Sequence, residues 1–490
     1  MRSSGILMHI SSLPSPYGIG TMGKAARQFA DFLHRAGQHY WQLLPIGQTG
    51  FGNSPYQTCS TCAGNPYFID LDLLIEDGLL LASEVQAIDW ESHSERVDYD
   101  FQSSVRWDLL YRAFRRGADR YEREISGFRR ENPWVEEYAL FMAVRRSRGS
   151  ESWELWPEEL RKRKRGVKES YATVLAEDMN FYIFLQFLFY RQWNELRDYV
   201  HSLGIEIIGD LPIYVPYDSC DVWANPELFQ LDEQGRPTAV AGCPPDYFSE
   251  DGQLWGNPLY DWEKMRQDGY QWWMERLRNA SKLFDVIRID HFRGLESYWA
   301  VPFGEETARN GKWVKGPDHD LIAAIGRNFP KLRLIAEDLG LLTPEVVQLQ
   351  RDSGYPGMKV LEFAFVPDEP SSYLPHRYER NCICYSGTHD NETLRQWLEA
   401  LDDRTAAYVM EYLGAKTRED CLWGILRAGM ASVADTFVAQ MQDYLELGAE
   451  ARMNEPGTVG AENWSWRVEE SMLTNELADR IARMTKLYER

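Results

Sequence analysis

The chain has 490 residues, and its 53 Lys and Arg against 75 Asp and Glu give a formal net charge of −22. Because phosphates would repel so acidic a chain, this balance argues against a nucleic-acid or anionic-membrane partner and leaves neutral or cationic partners open. Aromatic residues reach 13%, a content that serves either core packing or flat platforms for sugar rings.

The first predicted elements are a strand over Gly5–Ile10 and a helix over Lys24–Ala36, whose apolar residues recur at helical spacing. Between them, Gly18–Gly23 has the G-x-G-x-x-G spacing of a dinucleotide-binding loop. In such a loop the glycines follow the strand directly, and an acid about 20 residues later binds the ribose. Here Ser11–Tyr17 intervenes, and the second strand, Tyr40–Leu44, ends without an acid. We therefore interpret the glycines as an ordinary loop.

After the second strand, residues 48–200 or thereabouts are predicted to form a large, mainly helical insertion. It opens with the turn-rich loop Gly50–Gln57, which is expected to carry Tyr56 to the end of the strands. Its clearest helix is Met179–Leu203, whose apolar positions predict core packing. The basic run Arg161–Arg165 is interpreted as a solvated surface rather than a nucleic-acid contact, because the chain around it is so acidic.

The seven cysteines are an odd number spread over a long chain, which does not indicate a disulfide framework. Cys59 and Cys62 have the spacing of half a zinc or redox site, but no matching second pair of Cys or His ligands follows. We interpret the thiols as structural or incidental. With no signal-peptide core and no apolar stretch long enough for a membrane span, we expect a soluble cytoplasmic protein.

A third strand, Ile205–Ile208, leads to Asp210, and a second insertion of about residues 215–270 follows. Within it, the Gly- and Pro-rich segment Cys243–Tyr260 is predicted to be an irregular loop. Long connections of this kind are uncommon in a compact domain unless they are functional, so we expect a lid.

Three predicted strands in the second half of the chain end in an acid and lead into helical stretches. They lie in Asp285–Gly294, Leu332–Gly340 and Cys382–Asn391, and their acids are Asp290, Glu337 and Asp390. Parallel strands that deliver acids to one rim are typical of a (β/α)8 barrel, whose active site lies at the carboxyl ends of the strands. We therefore predict an α/β fold: a single (β/α)8 TIM barrel over residues 1–490.

The remaining predicted strands are Met358–Phe365 and an eighth near Val459–Val468, with helices between about residues 390 and 447. No run of short antiparallel strands is visible at the C-terminus. We therefore expect no separate C-terminal β-sandwich domain.

The acids on the rim could hold a metal, since carboxylates bind hard cations, but Arg288 beside Asp290 would compete for the same carboxylate. A neighbouring cation instead lowers the pKa of Asp290 and keeps it ionised. If its surroundings raise the pKa of Glu337, that residue can donate a proton. One ionised and one protonated carboxyl group are what cleavage of a glycosidic bond requires. Asp390 would then bind sugar hydroxyls as the ring flattens.

The same residues carry a resemblance. Four segments resemble the conserved regions of the α-amylase clan: Gly209–Tyr214, Arg288–Phe292, Ala336–Gly340 and Gly387–Asn391. Five others resemble 4-α-glucanotransferases of the amylomaltase (disproportionating enzyme) family, glycoside hydrolase family 77: Gly5–Gly23, the loop to Gln57, Gly252–Tyr260, Asn454–Thr458 and Asn463–Arg467. The resemblance runs from about residue 5 to about residue 467.

The resemblance implies an enzyme that needs no cofactor or metal. It would move α-1,4-glucan segments from a malto-oligosaccharide or starch-type donor to the 4-hydroxyl of glucose or another glucan, by a retaining double displacement. Asp290 would be the nucleophile, Glu337 the general acid/base and Asp390 the stabiliser of the transition state. The implied substrate-binding residues are Tyr56, Asp210, Gln253, Trp255, Arg288, His291 and His389.

One position departs from the family pattern. Phe51 stands where some members have a tyrosine in a second glucan-binding groove. A phenylalanine can stack on a sugar but has no hydroxyl to hydrogen bond with it.

Two other classes stay open at this point. An α-amylase-like hydrolase would use the same acids, although the missing β-domain and the loop with Gln253 and Trp255 favour a transferase. A non-catalytic glucan-binding protein would have no need of all three acids.

Overall fold

A computed structural model describes residues 2–93, 95–245, 250–340 and 342–490. Twelve strands lie in these residues: β1 (Ser3–Leu7), β2 (Tyr40–Gln42), β3 (Glu206–Leu211), β4 (Ala239–Cys243), β5 (Gln253–Pro258), β6 (Val286–Ile289), β7 (Ser297–Pro302), β8 (Lys312–Lys315), β9 (Arg333–Ala336), β10 (Gly357–Val360), β11 (Cys382–Tyr385) and β12 (Thr436–Gln440).

Eight of the strands form one parallel sheet in the order β10-β11-β12-β1-β2-β3-β6-β9. The two ends of this order meet, because the Ala336 N–H at the end of β9 donates to the Pro356 carbonyl just before β10, at 3.0 Å. The sheet is thereby closed into a barrel with helices around it, and the predicted (β/α)8 fold is confirmed.

The described residues also form nineteen α-helices. They are α1 (Lys24–Arg35), α2 (Leu71–Glu76), α3 (Ala82–Gln86), α4 (Tyr99–Gly117), α5 (Glu122–Glu131), α6 (Trp134–Ser147), α7 (Glu158–Arg161), α8 (Val167–Val174), α9 (Ala176–Ser202), α10 (Cys220–Ala224), α11 (Trp262–Gln267), α12 (Gln271–Leu283), α13 (Asp318–Asn328), α14 (Pro344–Ser353), α15 (Leu394–Ala400), α16 (Asp403–Leu413), α17 (Arg418–Ala431), α18 (Met441–Tyr444) and α19 (Asn475–Leu487).

Several helices begin where the sequence offers a side chain that accepts a hydrogen bond from the first turn. These N-cap residues are Asp70, Asp98, Ser219, Asp261, Thr343, Thr393, Asp402, Thr417 and Thr474. Helices α2 to α9 fill the chain between β2 and β3, and the apolar side chains of α9 belong to the same buried core as the barrel strands. No helix in the described part of the chain is long and apolar enough to cross a bilayer.

The segment Cys243–Tyr260 is not the irregular loop that its composition predicts. β4 ends at Cys243, and β5 pairs with it antiparallel in a small four-stranded sheet of order β5-β4-β7-β8. Residues 246–249, within the expected lid, lie outside the described residues. The glycines and prolines of this segment predict a loop, but β5 is stabilised as a strand by its pairing with β4, and local pattern does not report such pairing.

The eighth strand is also not where it was predicted. It is β12, which fits between β11 and β1 with Thr436 opposite both Ile383 and Ser3. Residues 459–468 form no strand. Trp464 and Trp466, in the predicted stretch, are buried in irregular backbone. The short strand β12 is stabilised by pairing with β11 and β1 on either side. That pairing depends on the closed barrel and not on the local sequence.

The strand predicted over Met358–Phe365 stops at Val360, and Leu361–Phe363 turns into a 3-10 helix. Beyond β12, residues 441–490 are all described and contain no strand, so this stretch forms no β-sandwich. The Gly18–Gly23 loop packs against the 3-10 helix Ile10–Ser12 that follows β1: a Cβ at Gly20 would lie 1.7 Å from the Ile10 carbonyl oxygen. Close backbone approach therefore explains that glycine.

Candidate active site

The predicted acids meet at the carboxyl-terminal rim of the barrel. In the parallel pair β6–β9, Ile289 lies opposite Ala336, so the next residues, Asp290 and Glu337, extend neighbouring strands at the same level. The Glu337 N–H continues the ladder by donating to the Ile289 carbonyl at 3.0 Å. The structure thus brings the two acids together through strand register alone.

Arg288 joins two carboxylates across the neighbouring strands. It lies opposite Asp210 of β3, and its Nη1 donates to Asp210 Oδ2 at 2.6 Å and to Asp290 Oδ1 at 3.0 Å. The side chains of Arg288 and Asp210 are 5% and 1% exposed, whereas that of Asp290 is 27% exposed. Asp290 is therefore the member of this group that a ligand can reach. The Tyr56 hydroxyl, from the loop after β2, donates to Asp210 Oδ2 at 2.6 Å.

The pKa of Asp290 departs from the sequence-based expectation. Burial raises the pKa of this carboxyl well above its usual range, and Arg288 opposes that shift. The expectation that the arginine sets a low pKa was wrong in direction, because it counted the cation and not the loss of solvent. The contact with Arg288 remains the feature that favours the ionised form.

Glu337 behaves as expected of a proton donor, since burial raises its pKa. Its oxygens accept from two backbone donors, the N–H of His291 on Oε2 at 2.6 Å and that of Leu339 on Oε1 at 2.8 Å. His291 adopts the left-handed region, with φ +49°, and this conformation turns its N–H toward Glu337. A backbone outlier beside the reacting groups is where strain is commonly found in active sites.

The third acid, Asp390, is held by residues that the sequence analysis did not single out for a role. Asn454 Nδ2 donates to Asp390 Oδ1 at 2.7 Å, and the Arg452 guanidinium donates to the Asp390 carbonyl at 3.0 Å. Asp390 keeps 48% of its side chain exposed, and His389 Nε2 lies 3.4 Å from its Oδ2. The only sequence signal for Asn454 was its place in the Asn454–Thr458 family motif.

Three rings form one cluster beside these acids. His389 stacks on Tyr56 with a centroid distance of 5.1 Å and an interplanar angle of 19°. The Trp464 ring lies 5.8 Å from each of them. Burial lowers the pKa of His389, so its imidazole is held in the neutral form that can both donate and accept a hydrogen bond. The sequence signal for Trp464 is its place in the family motif Asn463–Arg467.

Trp255 and Gln253 approach the site from the small antiparallel sheet. They share a face of β5 because strand residues two apart point the same way. The Trp255 ring lies perpendicular to that of His291 at 4.7 Å, and its Nε1 donates to Gln253 Oε1 at 3.1 Å. Burial lowers the pKa of His291 to about 3, so this residue is neutral as well. Phe51 is 77% exposed on the loop that carries Tyr56.

This arrangement suits chemistry at an anomeric centre. It combines an accessible carboxylate with a cation, a neighbouring acid with a raised pKa, and two neutral imidazoles able to bind hydroxyls.

Solved structures of two amylomaltases have the same fold as this chain. An amylomaltase from Streptococcus agalactiae in complex with acarbose is 40% identical and matches with a TM-score of 0.98, covering 100% of both chains. An amylomaltase from Corynebacterium glutamicum is 20% identical with a TM-score of 0.79, covering 99% of this chain and 75% of that one. The second likeness bears on the fold alone.

Comparison with known sequences covers the whole chain. A family model described as 4-alpha-glucanotransferase matches residues 8–474. The 4-alpha-glucanotransferase of Clostridium butyricum is 46% identical, covering 99% of this chain and 100% of that protein. The enzyme of that name from Thermus thermophilus is 45% identical, covering 100% and 99%. The chain therefore belongs to the 4-alpha-glucanotransferase family.

Proposed function

We propose that this transferase moves α-1,4-glucan segments from malto-oligosaccharide or starch-type donors to the 4-hydroxyl of glucose or of another glucan. The observation that carries the proposal is the adjacency of Asp290 and Glu337 on one rim, the first bound by Arg288 and the second with a raised pKa. Six thiols of the described residues support a reducing, cytoplasmic setting, because they form no disulfide: Cys59, Cys62, Cys220, Cys382, Cys384 and Cys421. The shared core of barrel and α9 supports one catalytic domain over residues 1–490.

In the first step Asp290 attacks the anomeric carbon of the donor, while Glu337 gives its proton to the leaving glycosidic oxygen. The fragment on the reducing-end side departs, and the remaining glucan is held as an ester on Asp290. Asp390 contributes by binding sugar hydroxyls more tightly as positive charge develops on the ring. Asn454 donates to Asp390 Oδ1 and so fixes the carboxylate in place for that contact. This is the double-displacement course of retaining glycosidases.

In the second step Glu337, now ionised, takes the proton from the 4-hydroxyl of the acceptor, and that oxygen displaces Asp290. Two inversions restore the α configuration. Transfer requires that a sugar reach the ester before water does. The face of β5 that carries Gln253 and Trp255 lies against His291, and we assign it to the acceptor side, where an indole surface favours a sugar ring over water.

The donor sugar is held by the buried polar groups around the nucleophile. Arg288 and Asp210 fix the Asp290 carboxylate and, through Tyr56, the aromatic wall beside it. His389 and His291, both neutral, supply hydrogen bonds to hydroxyls.

The test is to incubate the protein with maltotriose and to resolve the products by chain length over time. Transfer produces free glucose together with oligosaccharides longer than three units. Glucose and maltose alone would make water the acceptor and support the hydrolase alternative, whereas unchanged maltotriose would support a binding protein.

The matched variants are Asp290→Asn and Asp285→Asn, which lie at opposite ends of β6. Asp285 accepts from the Ile207 N–H at 2.8 Å, far from the acidic rim. We expect Asp290→Asn to lose both transfer and hydrolysis by a factor of about 10⁴ while remaining folded. Asp285→Asn should retain activity. Substantial turnover by Asp290→Asn would reject this residue as nucleophile.

A further inference from the structure

Trp464 has a backbone conformation that its side chain disfavours. Its φ is +63°, in the left-handed region, where a Cβ is crowded and a bulky residue is an outlier. The residue is only 6% exposed. Its N–H donates to the Met453 carbonyl at 2.7 Å, and its carbonyl accepts from the Tyr99 hydroxyl at 3.0 Å. The surroundings therefore hold the strained backbone from both sides.

The indole that this backbone presents lies against two residues of the donor site. Its centroid is 5.8 Å from that of Tyr56, at an interplanar angle of 44°, and 5.8 Å from that of His389, at 38°. Tyr56 and His389 are themselves stacked at 5.1 Å. Each ring of this cluster therefore limits how the other two can rotate.

The same stretch of chain also reaches the third acid. Asn454 donates to the Asp390 carboxylate, and Arg452 donates both to the Asp390 carbonyl and, at 2.9 Å, to the Asn454 carbonyl. Met453, which accepts the Trp464 N–H, lies between them in sequence. The chain after β12 therefore fixes Asp390 at one point and the Tyr56–His389 pair at another.

We propose that Trp464 is a positioning residue of the donor site, and that its strained backbone is maintained because it places the indole against Tyr56 and His389. The inference rests on the proposed function, since it assumes that these two residues bind the donor sugar. A neutral imidazole binds hydroxyls only when its ring plane is aligned with them, and the Tyr56 hydroxyl must keep its bond to Asp210. Without the indole, both rings gain freedom to turn away.

A role in stability alone predicts a different outcome, and two substitutions separate the two roles. Trp464→Ala and Trp464→Gly both remove the indole, but glycine accommodates a positive φ without strain and alanine does not. The glycine variant should therefore be at least as stable as the alanine variant. If Trp464 positions the rings, both variants lose kcat equally, by about 10- to 100-fold, because a small misplacement in a site has that effect.

The measurements are kcat and KM for maltotriose at a temperature well below both melting transitions, together with the transitions themselves. We expect the loss in kcat, with KM changed less than threefold or so. A kcat within about twofold of the wild type, or one that rises with stability from Ala to Gly, would overturn the proposal. If neither variant folds, Trp464→Phe and Trp464→Leu test the positioning role instead. The phenylalanine variant should keep at least about a third of the wild-type kcat, and the leucine variant should fall below that value.

Trp153→Ala is the matched control. Trp153 is 2% exposed and packs on Tyr217 in a ring contact of 5.0 Å, so its loss should lower the melting transition without lowering kcat. The wild-type reaction distinguishes a failure of the proposed transferase function from a failure of the positioning role of Trp464. Absence of products longer than maltotriose from the wild type would reject the proposed function and this inference with it, whereas normal transfer by both wild type and Trp464 variants would reject this inference alone.

Discussion

At the scale of single residues, the site depends on one buried cation shared by two carboxylates. Arg288 reaches Asp210 and Asp290 from a side chain that is only 5% exposed. Removing such a charge leaves the buried Asp210 carboxylate without its countercharge, which costs far more than the pair itself contributes. Arginine suits the position because the two N–H bonds of its Nη1 have fixed directions in the guanidinium plane, one toward each carboxylate, and lysine cannot reproduce that geometry.

Arg288→Lys is therefore expected to lower kcat/KM for maltotriose by about 100-fold although the charge is conserved. Arg333→Lys is the control, because Arg333 makes a bidentate pair with Glu206 at the opposite end of the barrel, with distances of 2.7 and 2.9 Å. That variant should keep its activity. Equal losses in the two variants would show that the site does not depend on the fork of Arg288.

The raised pKa of Glu337 predicts the alkaline side of the pH profile. In the proposed mechanism Glu337 must be protonated to help the leaving group, so kcat/KM should fall as pH rises through its pKa in the folded enzyme. Because burial raises that pKa, the fall should lie above the usual range of a glutamic acid, near 4.3. A maltosyl fluoride donor needs no protonation of its leaving group, and its profile should lack this limb. If kcat/KM falls on the alkaline side with both donors, the ionising group is a residue other than Glu337.

At the scale of secondary-structure elements, the loop carrying His389 and Asp390 is anchored by α18. Asp443 is fully buried there, accepts from Ser386 Oγ at 2.5 Å and accepts from the Leu394 N–H, the first residue of α15, at 2.8 Å. One carboxyl group thus ties the end of β11 to the following helix. Burial raises its pKa to about 7.

This shift makes stability depend on pH in a defined direction. The folded-state pKa of Asp443 lies above its usual value of 3.8, so its favourable contribution is complete below about pH 4 and is lost as pH rises through 7. Asp443→Asn keeps an acceptor for Leu394 and does not ionise. The free energy of unfolding of the variant relative to the wild type should therefore rise between pH 5 and pH 8, by up to about 3 kcal/mol. The measurement is urea denaturation of both proteins at several pH values. A difference in the free energy of unfolding that stays constant from pH 5 to pH 8 would contradict this prediction.

At the scale of the whole molecule, the two ends of the barrel have separate tasks. The acids and the aromatic cluster occupy the carboxyl-terminal rim, while Arg490 lies at the other end. Its buried guanidinium donates to the carbonyls of Ser3, Gly429, Met430, Ser432 and Ala434. These residues belong to β1, to the end of α17 and to the turn before β12, so the contact secures the strand that closes the barrel.

Arg490→Ala should consequently lower stability without affecting catalysis. Several buried carbonyls would lose their donor, and we expect the free energy of unfolding to fall by about 3 kcal/mol while kcat at 25 °C is unchanged. Arg483→Ala, on the exposed side of α19, is the control and should leave both quantities near the wild type. A loss of kcat in the Arg490 variant would mean that the two ends of the barrel are coupled.

The sequence by itself determined the alternation of strands and helices, the acids Asp290, Glu337 and Asp390, and the long helices such as α1 and α9. Each of these rests on local information: apolar periodicity, capping residues, or a short strand followed directly by an acid. The sequence could only name a raised pKa of Glu337 as a condition of the proposed role, and burial in the folded chain supplies that shift.

Only the tertiary structure decided the position of β12, the antiparallel strand inside Cys243–Tyr260, the direction of the Asp290 pKa shift, and the places of Asn454 and Trp464 beside the site. All of these depend on contacts that apolar periodicity does not report, and those of β12, Asn454 and Trp464 join residues far apart in the chain. β12 is a strand because it pairs with β11 and β1 on either side. The Asp290 carboxyl loses solvent because of the residues packed around it. The Trp464 indole contacts the His389 imidazole only in the folded barrel. Local pattern contains none of these quantities, because they arise from packing.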